Sequence, residues 1–181
     1  VGANALISRM VTLPEVITNL KIRTSYSEVG NSIPNIFFFK GGRDPLTGAV
    51  VPSSYGRFVN PIPEKTKSFE AGFDVSFFGN ALNWDLTYYH SAMHNSYLLN
   101  ANANGKSDPV NSGVILNSGI ETTLGYSLSL AKDFMWKTAV NFSYNNNEIL
   151  ETYQKDGKEA LIEQRIAGGK VVVRYEKGGS Y

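Results

Sequence analysis

Apolar and polar side chains alternate strictly in two stretches on either side of residue 80. The apolar positions are odd-numbered in the first stretch and even-numbered in the second: Phe69, Ala71, Phe73, Val75 and Phe77, then Leu82, Trp84, Leu86 and Tyr88. A period of two predicts a β-strand with one apolar face. Gly79 and Asn80, which lie between the stretches, tolerate the positive φ that a short hairpin turn requires. Residues 63–95 therefore predict a β-hairpin with long arms.

The arms of this hairpin are each about ten residues long or more, whereas the strands of globular proteins average about five or six. Alternating segments of about ten residues with aromatic ends are what a tilted strand needs to cross roughly 30 Å of hydrocarbon. The length of the arms therefore favours a transmembrane β-barrel over an ordinary soluble sheet.

A second hairpin of the same design is predicted between residues 120 and 144. Its apolar and aromatic residues occupy even positions in both arms: Ile120, Leu124, Tyr126, Leu128 and Leu130, then Phe134, Trp136, Val140, Phe142 and Tyr144. Lys132 and Asp133 form the predicted turn. Each hairpin has a short turn at one end and a long polar segment at the other. Outer-membrane barrels have the same asymmetry, with short periplasmic turns and longer extracellular loops.

The rest of the chain has weaker strand signals. Residues 20–27 alternate and predict a strand, and residues 36–39 are a short apolar run that is a candidate strand. Val171–Tyr175 predicts a last short strand. Residues 1–19 are mixed and suggest a short turn or the end of a loop, because Pro14 argues against a long helix.

Two segments have the composition of loops. Residues 40–63 contain several glycines and prolines, with a candidate short strand at residues 54–59, and residues 98–113 are rich in Asn, Gly and Pro. Residues 149–166 have some helical periodicity, which Gly157 interrupts. For that last segment the pattern leaves open a strand or a loop with a short helical turn.

Composition narrows the class of protein. Lys and Arg number 17 and Asp and Glu 16, so the net charge is +1 and the basic excess of a nucleic-acid-binding protein is missing. The chain has no cysteine, which excludes disulfides and thiolate metal sites within it. There are 10 Tyr and 10 Phe, yet the mean hydropathy is only −0.20. Many aromatics with middling hydropathy suit strands in which every second position is polar.

Few residues suggest chemistry. His90 and His94 are four positions apart, which on a strand is roughly 13 Å at ~3.3 Å per residue, so we predict no metal site. Glu70 and Asp74 share a polar face, and cross-strand pairing would bring Asp74 near Asp85. Two carboxylates within about 5–10 Å would suit a glycosidase. Because no nucleophile, pocket motif or phosphate-binding glycine spacing accompanies them, we interpret them as pore-lining and predict neither catalysis nor a cofactor.

The aromatic residues fall into two groups. Those in the long strands are predicted to face lipid or to form the belts at the membrane interfaces: Phe69, Phe73, Phe77, Trp84, Tyr88, Phe134, Trp136, Phe142 and Tyr144. Aromatic rings also stack on sugars, and loop positions suit that role better. Tyr55, Phe58 and Tyr97 are therefore the predicted cargo-binding residues.

Three segments resemble, in order and spacing, the C-terminal half of SusC/RagA-type TonB-dependent transporters: KIRTSYSEVGN, PEKTKSFEAGFDVSFFGNALNWDLTYYHSAMHN and NSGVILNSGIETTLGYSLSLAKDFMWKTAVNFSYNNNEI. The resemblance covers most of residues 15–181. The residues that carry it are Arg23, Tyr26, Gly30, Asn31, Glu64, Lys65, Thr66, Glu70, Gly72, Asp74, Tyr88, Tyr89, Asn117, Gly119, Glu121, Asn141, Tyr144 and Asn145.

This resemblance implies an all-β protein, an antiparallel meander within an outer-membrane barrel of about 22 strands. It also implies a SusD-like surface lipoprotein, energy supplied through TonB, and an oligosaccharide or peptide as cargo. Residues 1–181 would then be a fragment without the plug, the TonB box and the last strands, in contact with membrane lipid in a Gram-negative outer membrane.

Two other functions are compatible with parts of the pattern. A soluble β-sandwich that binds carbohydrate would have the same alternation, with its apolar faces packed against each other. A hydrolase on a β-scaffold would need convergent acidic or nucleophilic residues, which the sequence does not supply. Strand length and aromatic density favour the barrel.

Overall fold

The computed structural model describes residues 1–38, 41–43, 46–52, 56, 58–101, 107–111, 113–155, 158–159, 162–166 and 171–180. Among these residues the regular structure is β-strand apart from two 3-10 turns, at Ile7–Arg9 and Asn35–Phe38. The predicted all-β class is confirmed. No helix in these ranges has the length and apolar character that a membrane crossing needs.

Six strands form one sheet in the order β1-β2-β5-β6-β9-β10, and the remaining strands pair as short hairpins. The strands are β1 (Gly2–Leu6), β2 (Ile17–Asn31), β3 (Gly41–Arg43), β4 (Val50–Pro52), β5 (Glu64–Phe77), β6 (Leu82–His94), β7 (Tyr97–Ala101), β8 (Ser107–Asn111), β9 (Val114–Ala131), β10 (Phe134–Ile149), β11 (Gln154–Lys155), β12 (Lys158–Glu159), β13 (Ile162–Ile166) and β14 (Val171–Tyr175). The long strands have 13 to 18 residues, as the alternation predicted.

Neighbouring strands of the large sheet run antiparallel. In the first pair Gly2 lies opposite Ser25. Between β5 and β6 the Ser68 and Ser91 hydroxyls are 2.9 Å apart, and Ser76 Oγ donates to Asn83 Oδ1 at 2.8 Å, so one strand ascends as the other descends. The predicted antiparallel meander is therefore confirmed.

Both predicted turns are present. Between β5 and β6 the chain turns at residues with positive φ: Phe78 (52°), Gly79 (64°) and Asn80 (71°). The Gly79 N–H donates to Thr18 Oγ1 at 2.8 Å and the Phe78 N–H to the Val16 carbonyl at 3.0 Å, which ties the turn to the start of β2. The second turn, at Lys132 and Asp133, joins β9 directly to β10.

The segments predicted as loops contain short hairpins. β3 pairs with β4, and β7 pairs with β8 with Leu99 opposite Pro109. Pro109 has no N–H to donate, and a two-stranded ribbon, where each strand is an edge, tolerates it. The loop prediction for residues 98–113 was therefore wrong in this part.

Four other predictions had different outcomes. In the candidate strand at residues 36–39, the described positions 36–38 belong instead to a 3-10 turn, in which the Phe37 N–H donates to the Pro34 carbonyl at 3.1 Å. At residues 54–59, positions 54, 55 and 57 lie outside the described residues, and Phe58 and Val59 are not in a strand. The described part of residues 149–166 contains short strands, which is one of the two alternatives that the pattern left open, and the predicted strand Val171–Tyr175 pairs with β13.

The chain divides into two compact units. Unit 1 comprises Val1–Glu28, Lys67–Ser91 and Asn117–Asn146, and unit 2 comprises Val29–Thr66, Ala92–Leu116 and Asn147–Tyr181. Four of the five buried hydrophobic residues of the described chain belong to unit 2: Phe58, Leu98, Ile115 and Ile149. Unit 1 leaves a broad apolar face exposed, with Trp136 55% and Phe142 61% accessible. Such a face suits contact with lipid and does not suit the sandwich alternative, which requires it to be packed.

Candidate functional site

The opposite, polar face of unit 1 has an ion-pair cluster centred on Arg23. Its Nη1 lies 2.8 Å from Asp74 Oδ1 and 2.8 Å from Asp85 Oδ2, and its Nη2 donates to Thr87 Oγ1 at 2.5 Å. Lys21 Nζ lies 3.8 Å from the second oxygen of Asp74. The cluster joins β2, β5 and β6, and it brings Asp74 and Asp85 together as the sequence predicted.

A glycine lets the Arg23 side chain extend across the intervening strand. A Cβ at Gly72 of β5 would lie 2.5 Å from the Leu86 carbonyl oxygen and 3.2 Å from Arg23 Cζ. Both distances are shorter than ordinary van der Waals contact. The absence of a side chain at this position therefore keeps open the path from β2 to β6.

The same arrangement recurs two strands further along the sheet. The Tyr89 ring of β6 lies over Gly119 of β9, where a Cβ would be 2.5 Å from Tyr89 Oη and would also overlap the Tyr144 carbonyl oxygen. Asn145 of β10 donates from Nδ2 to Tyr89 Oη at 2.7 Å and to Asn117 Oδ1 at 2.8 Å. We call Arg23 over Gly72 and Tyr89 over Gly119 the two strand-spanning bridges.

This face presents charged and amide side chains that can bind polar groups. Asp74 and Asp85 share the Arg23 guanidinium, so each carboxylate has a charge-assisted contact with the same cation. Glu70 is the third carboxylate that the sequence analysis considered. Its backbone carbonyl accepts a hydrogen bond from Thr24 Oγ1 at 3.0 Å. His90 and His94 both lie in β6, and the described part of the chain contains no group of three His, Cys, Asp or Glu side chains able to hold a metal ion.

On the apolar face the Trp84 indole has a hydrogen-bond partner within the sheet. Trp84 Nε1 donates to Thr122 Oγ1 at 2.8 Å, and that hydroxyl donates in turn to the Asp85 carbonyl at 2.8 Å. The Trp84 ring packs edge-on against Phe73 with centroids 4.9 Å apart. Because the indole N–H has a partner within the sheet, the Trp84 side chain can contact hydrocarbon without an unsatisfied donor.

Unit 2 has a cluster of three aromatic rings. Phe37, Phe58 and Tyr97 contact one another edge to face, with centroids 5.6 to 5.7 Å apart, and Phe58 is only 8% exposed. The backbone N–H of Glu64 donates to Tyr97 Oη at 3.2 Å, and the Tyr97 N–H donates to Glu64 Oε1 at 3.0 Å. Burial raises the pKa of the Tyr97 hydroxyl above its ordinary value.

Two of the three predicted cargo-binding residues are thus neighbours. Phe58 and Tyr97 lie in one aromatic cluster, whereas Tyr55 lies outside the described residues. The cluster anchors the segment around Phe58 to β7, a packing role that the sequence did not predict. Cargo contact by these residues stays a prediction.

Replacing Tyr97 by phenylalanine is expected to speed amide hydrogen exchange at Glu64. The substitution keeps the ring packing but removes the acceptor of the Glu64 N–H, a change of about 1 kcal/mol in local opening free energy. Tyr88→Phe is the control, because no hydrogen bond to the Tyr88 hydroxyl occurs within the described ranges. Equal exchange in both variants would contradict the role assigned to the hydroxyl.

Sequence reasoning missed two parts of these sites. The bridging role of Gly72 and Gly119 was not predicted, although both glycines occupy polar positions of alternating strands, which is the available signal. Phe37 was assigned to a strand and not to an aromatic cluster. Its partners are 21 and 60 residues away by residue number, a separation that local periodicity does not address.

Comparison with protein families gives a match over most of the chain. The model described as "TonB dependent receptor-like, beta-barrel" matches residues 13–173. Among curated proteins, TonB-dependent receptor P26 of Formosa agariphila is 26% identical over 165 residues, which are 86% of this chain and 17% of that protein. TonB-dependent receptor P39 of the same organism is 33% identical over 108 residues, 56% of this chain and 10% of that protein.

Solved structures show the same fold. The RagAB peptide importer in its "closed-closed" state gives a TM-score of 0.73 at 20% identity, with 98% of this chain and 20% of that chain covered. A second RagAB peptide transporter structure gives a TM-score of 0.72 at 18% identity and 97% coverage of this chain. The chain spans less than a fifth of the length of the curated relative P26.

Proposed function

The chain belongs to the TonB-dependent receptor-like β-barrel family, and from that premise we propose that it forms part of the wall of an outer-membrane importer. Its two sheet faces carry the proposal. The apolar face of unit 1 is exposed, and its Trp84 N–H is hydrogen-bonded within the sheet, as contact with lipid requires. The polar face carries fixed charges and amides, as contact with a water-filled lumen requires.

The proposed cargo is an oligosaccharide or a peptide, with a SusD-like lipoprotein at the cell surface and TonB as the energy source. The fold likeness to the RagAB peptide importer is compatible with a surface partner. The role proposed for this chain is binding and transport rather than catalysis, because its clustered carboxylates are held by Arg23. The lipid-facing aromatics include Trp84, Trp136 and Phe142.

The first test uses the complete transporter that contains this chain. We expect it to fractionate with the outer membrane and to migrate differently on a gel before and after boiling, as a closed barrel does. Uptake of its cargo is expected to stop when TonB is deleted, and the surface lipoprotein is expected to co-purify. A soluble protein without a heat shift would overturn the proposal and restore the sandwich alternative.

A pair of cysteine variants tests the orientation of the sheet. Ile120 and Glu121 are adjacent in β9 and lie on opposite faces, and the chain has no cysteine of its own. The two variants are made in the complete transporter with any other cysteines replaced, and outer membranes are labelled with a water-soluble maleimide. Glu121→Cys is expected to react at least about tenfold faster than Ile120→Cys, because thiols react as thiolates in water. Equal rates, or the reverse order, would contradict a lipid-facing apolar surface.

A further inference from the structure

Unit 2 contains a cavity of about 250 Å³. Its wall comes from three separate segments: residues 59–62, residues 100 and 108–111 of the β7–β8 hairpin, and Tyr153. Pockets that take drug-sized ligands measure about 300–1,000 Å³. The cavity therefore has room for one ring-sized group of a longer cargo rather than for a whole oligomer.

One wall of the cavity is fixed by Asn111. Its Oδ1 accepts from the Ile62 N–H at 3.0 Å, and its Nδ2 donates to the carbonyls of Ile62 and Asn95, each at 2.8 Å. Since every hydrogen atom of this amide is used, Asn111 has a structural role. It holds the segment that carries Asn60 and Ile62 against β8. These hydrogen bonds therefore fix the position of one wall of the cavity.

Three other polar side chains in the wall are available to a ligand. The amides of Asn60 and Asn100 and the hydroxyl of Tyr153 make no hydrogen bond within the part of the chain that the structure describes. Asn60 adopts φ 48°, a conformation that asparagine tolerates better than most residues. An amide offers both a donor and an acceptor, which is what a sugar hydroxyl or a peptide group needs.

The charge of the wall distinguishes between ligands. None of the described residues that line the cavity is basic. A sulfated or uronic sugar, or a peptide carboxylate, would find no positive partner among those described residues. Ile62 and Val110 supply apolar surface, which suits the C–H face of a sugar ring.

We propose that this cavity binds one neutral sugar residue of the cargo. Asn60 and Asn100 hydrogen-bond its hydroxyls, and Ile62 and Val110 contact its C–H face. The inference rests on the proposed import function and narrows its cargo to glycans with an uncharged residue at this position.

The test measures binding by the complete transporter, purified in detergent with its surface partner, to an array of neutral oligosaccharides, acidic oligosaccharides and short peptides. We expect binding to one or more neutral oligosaccharides. Asn100→Ala and Asn60→Gly are each expected to weaken that binding about tenfold, the effect of one lost hydrogen-bonding group in a ligand site. Glycine adopts the φ of Asn60 without strain, so the second variant removes only the amide.

Asn4→Ala is the matched control, since Asn4 is an exposed asparagine in β1 of unit 1. It is expected to leave the affinity unchanged. Binding only to acidic glycans or peptides, binding to nothing on the array, or equal affinity of the pocket variants and the control would each overturn the inference. Outer-membrane fractionation and TonB-dependent uptake are measured separately, so a failed sugar assignment is distinguishable from a failed transport proposal.

Discussion

Replacing Gly119 by alanine is expected to lower the free energy of unfolding of the complete transporter by about 2–3 kcal/mol. The new Cβ would overlap the Tyr144 carbonyl oxygen and lie 2.5 Å from Tyr89 Oη. Tyr89 can move only by giving up its contact with Asn145, and the carbonyl belongs to the backbone of β10. The measurement is the thermal unfolding midpoint in detergent, which is expected to fall.

Gly125→Ala is the control for this change, because Gly125 lies in the same strand but its nearest potential contacts are 4.0 Å away. Glycine within a strand is usually worse than alanine by roughly 0.5–1 kcal/mol, so this variant is expected to be neutral or slightly more stable. The two alanines should therefore shift the midpoint in opposite directions or differ clearly in size. Equal shifts would show that Tyr89 and β10 do not restrict position 119.

Replacing Arg23 by methionine is expected to lower the free energy of unfolding by about 1–2 kcal/mol. Removing one partner of a fully buried ion pair costs about 3–5 kcal/mol, whereas exposed pairs contribute about 0–1 kcal/mol. Arg23 lies between these limits, since it is 32% exposed and its partners Asp74 and Asp85 are 38% and 40% exposed. Methionine keeps the apolar stem and leaves the two carboxylates without a shared cation.

Lys21→Met is the matched control, because Lys21 Nζ is 3.8 Å from Asp74, a longer contact than that of Arg23, and its side chain is 42% exposed. Its effect is expected to be within about 0.5 kcal/mol. Adding Asp74→Asn and Asp85→Asn to Arg23→Met should restore part of the lost stability, because the repelling charges are then removed. A triple variant as unstable as the sum of its single changes would contradict the electrostatic account.

The long strands could be predicted from sequence because their pattern repeats many times and a slip of one residue would move every side chain to the wrong face. Short strands lack that redundancy. β7 and β8 have five residues each in the midst of Asn, Gly and Pro, and β8 contains Pro109. Phe78 was not expected in the hairpin turn either, since an aromatic residue at φ 52° is uncommon.

The candidate sites could be predicted only in part. Asp74 and Asp85 were placed together correctly, because the hairpin fixes their register. The cation between them is Arg23 of β2, which lies 51 positions before Asp74. No local sequence pattern indicates that Arg23 would contact these carboxylates. The cavity of unit 2 could not be predicted at all from local patterns. Its wall combines residues near 60, near 110 and at 153, which are far apart in the sequence.

The strand-spanning bridges also bear on how the sheet is assembled from its hairpins. The alternation of apolar and polar residues disfavours a register slip of one residue between paired strands, because every side chain would change face. A slip of two residues leaves each side chain on its original face, so the alternation does not disfavour it. A slip of β5 by two residues would put Glu70 or Asp74 in the place of Gly72, beneath the Arg23 side chain. A slip of β9 by two would put Asn117 or Glu121 beneath the Tyr89 ring. Each bridge has room for glycine only at the position beneath it. The two bridges therefore disfavour two-residue register slips, which the hydrophobic pattern does not distinguish from the correct pairing.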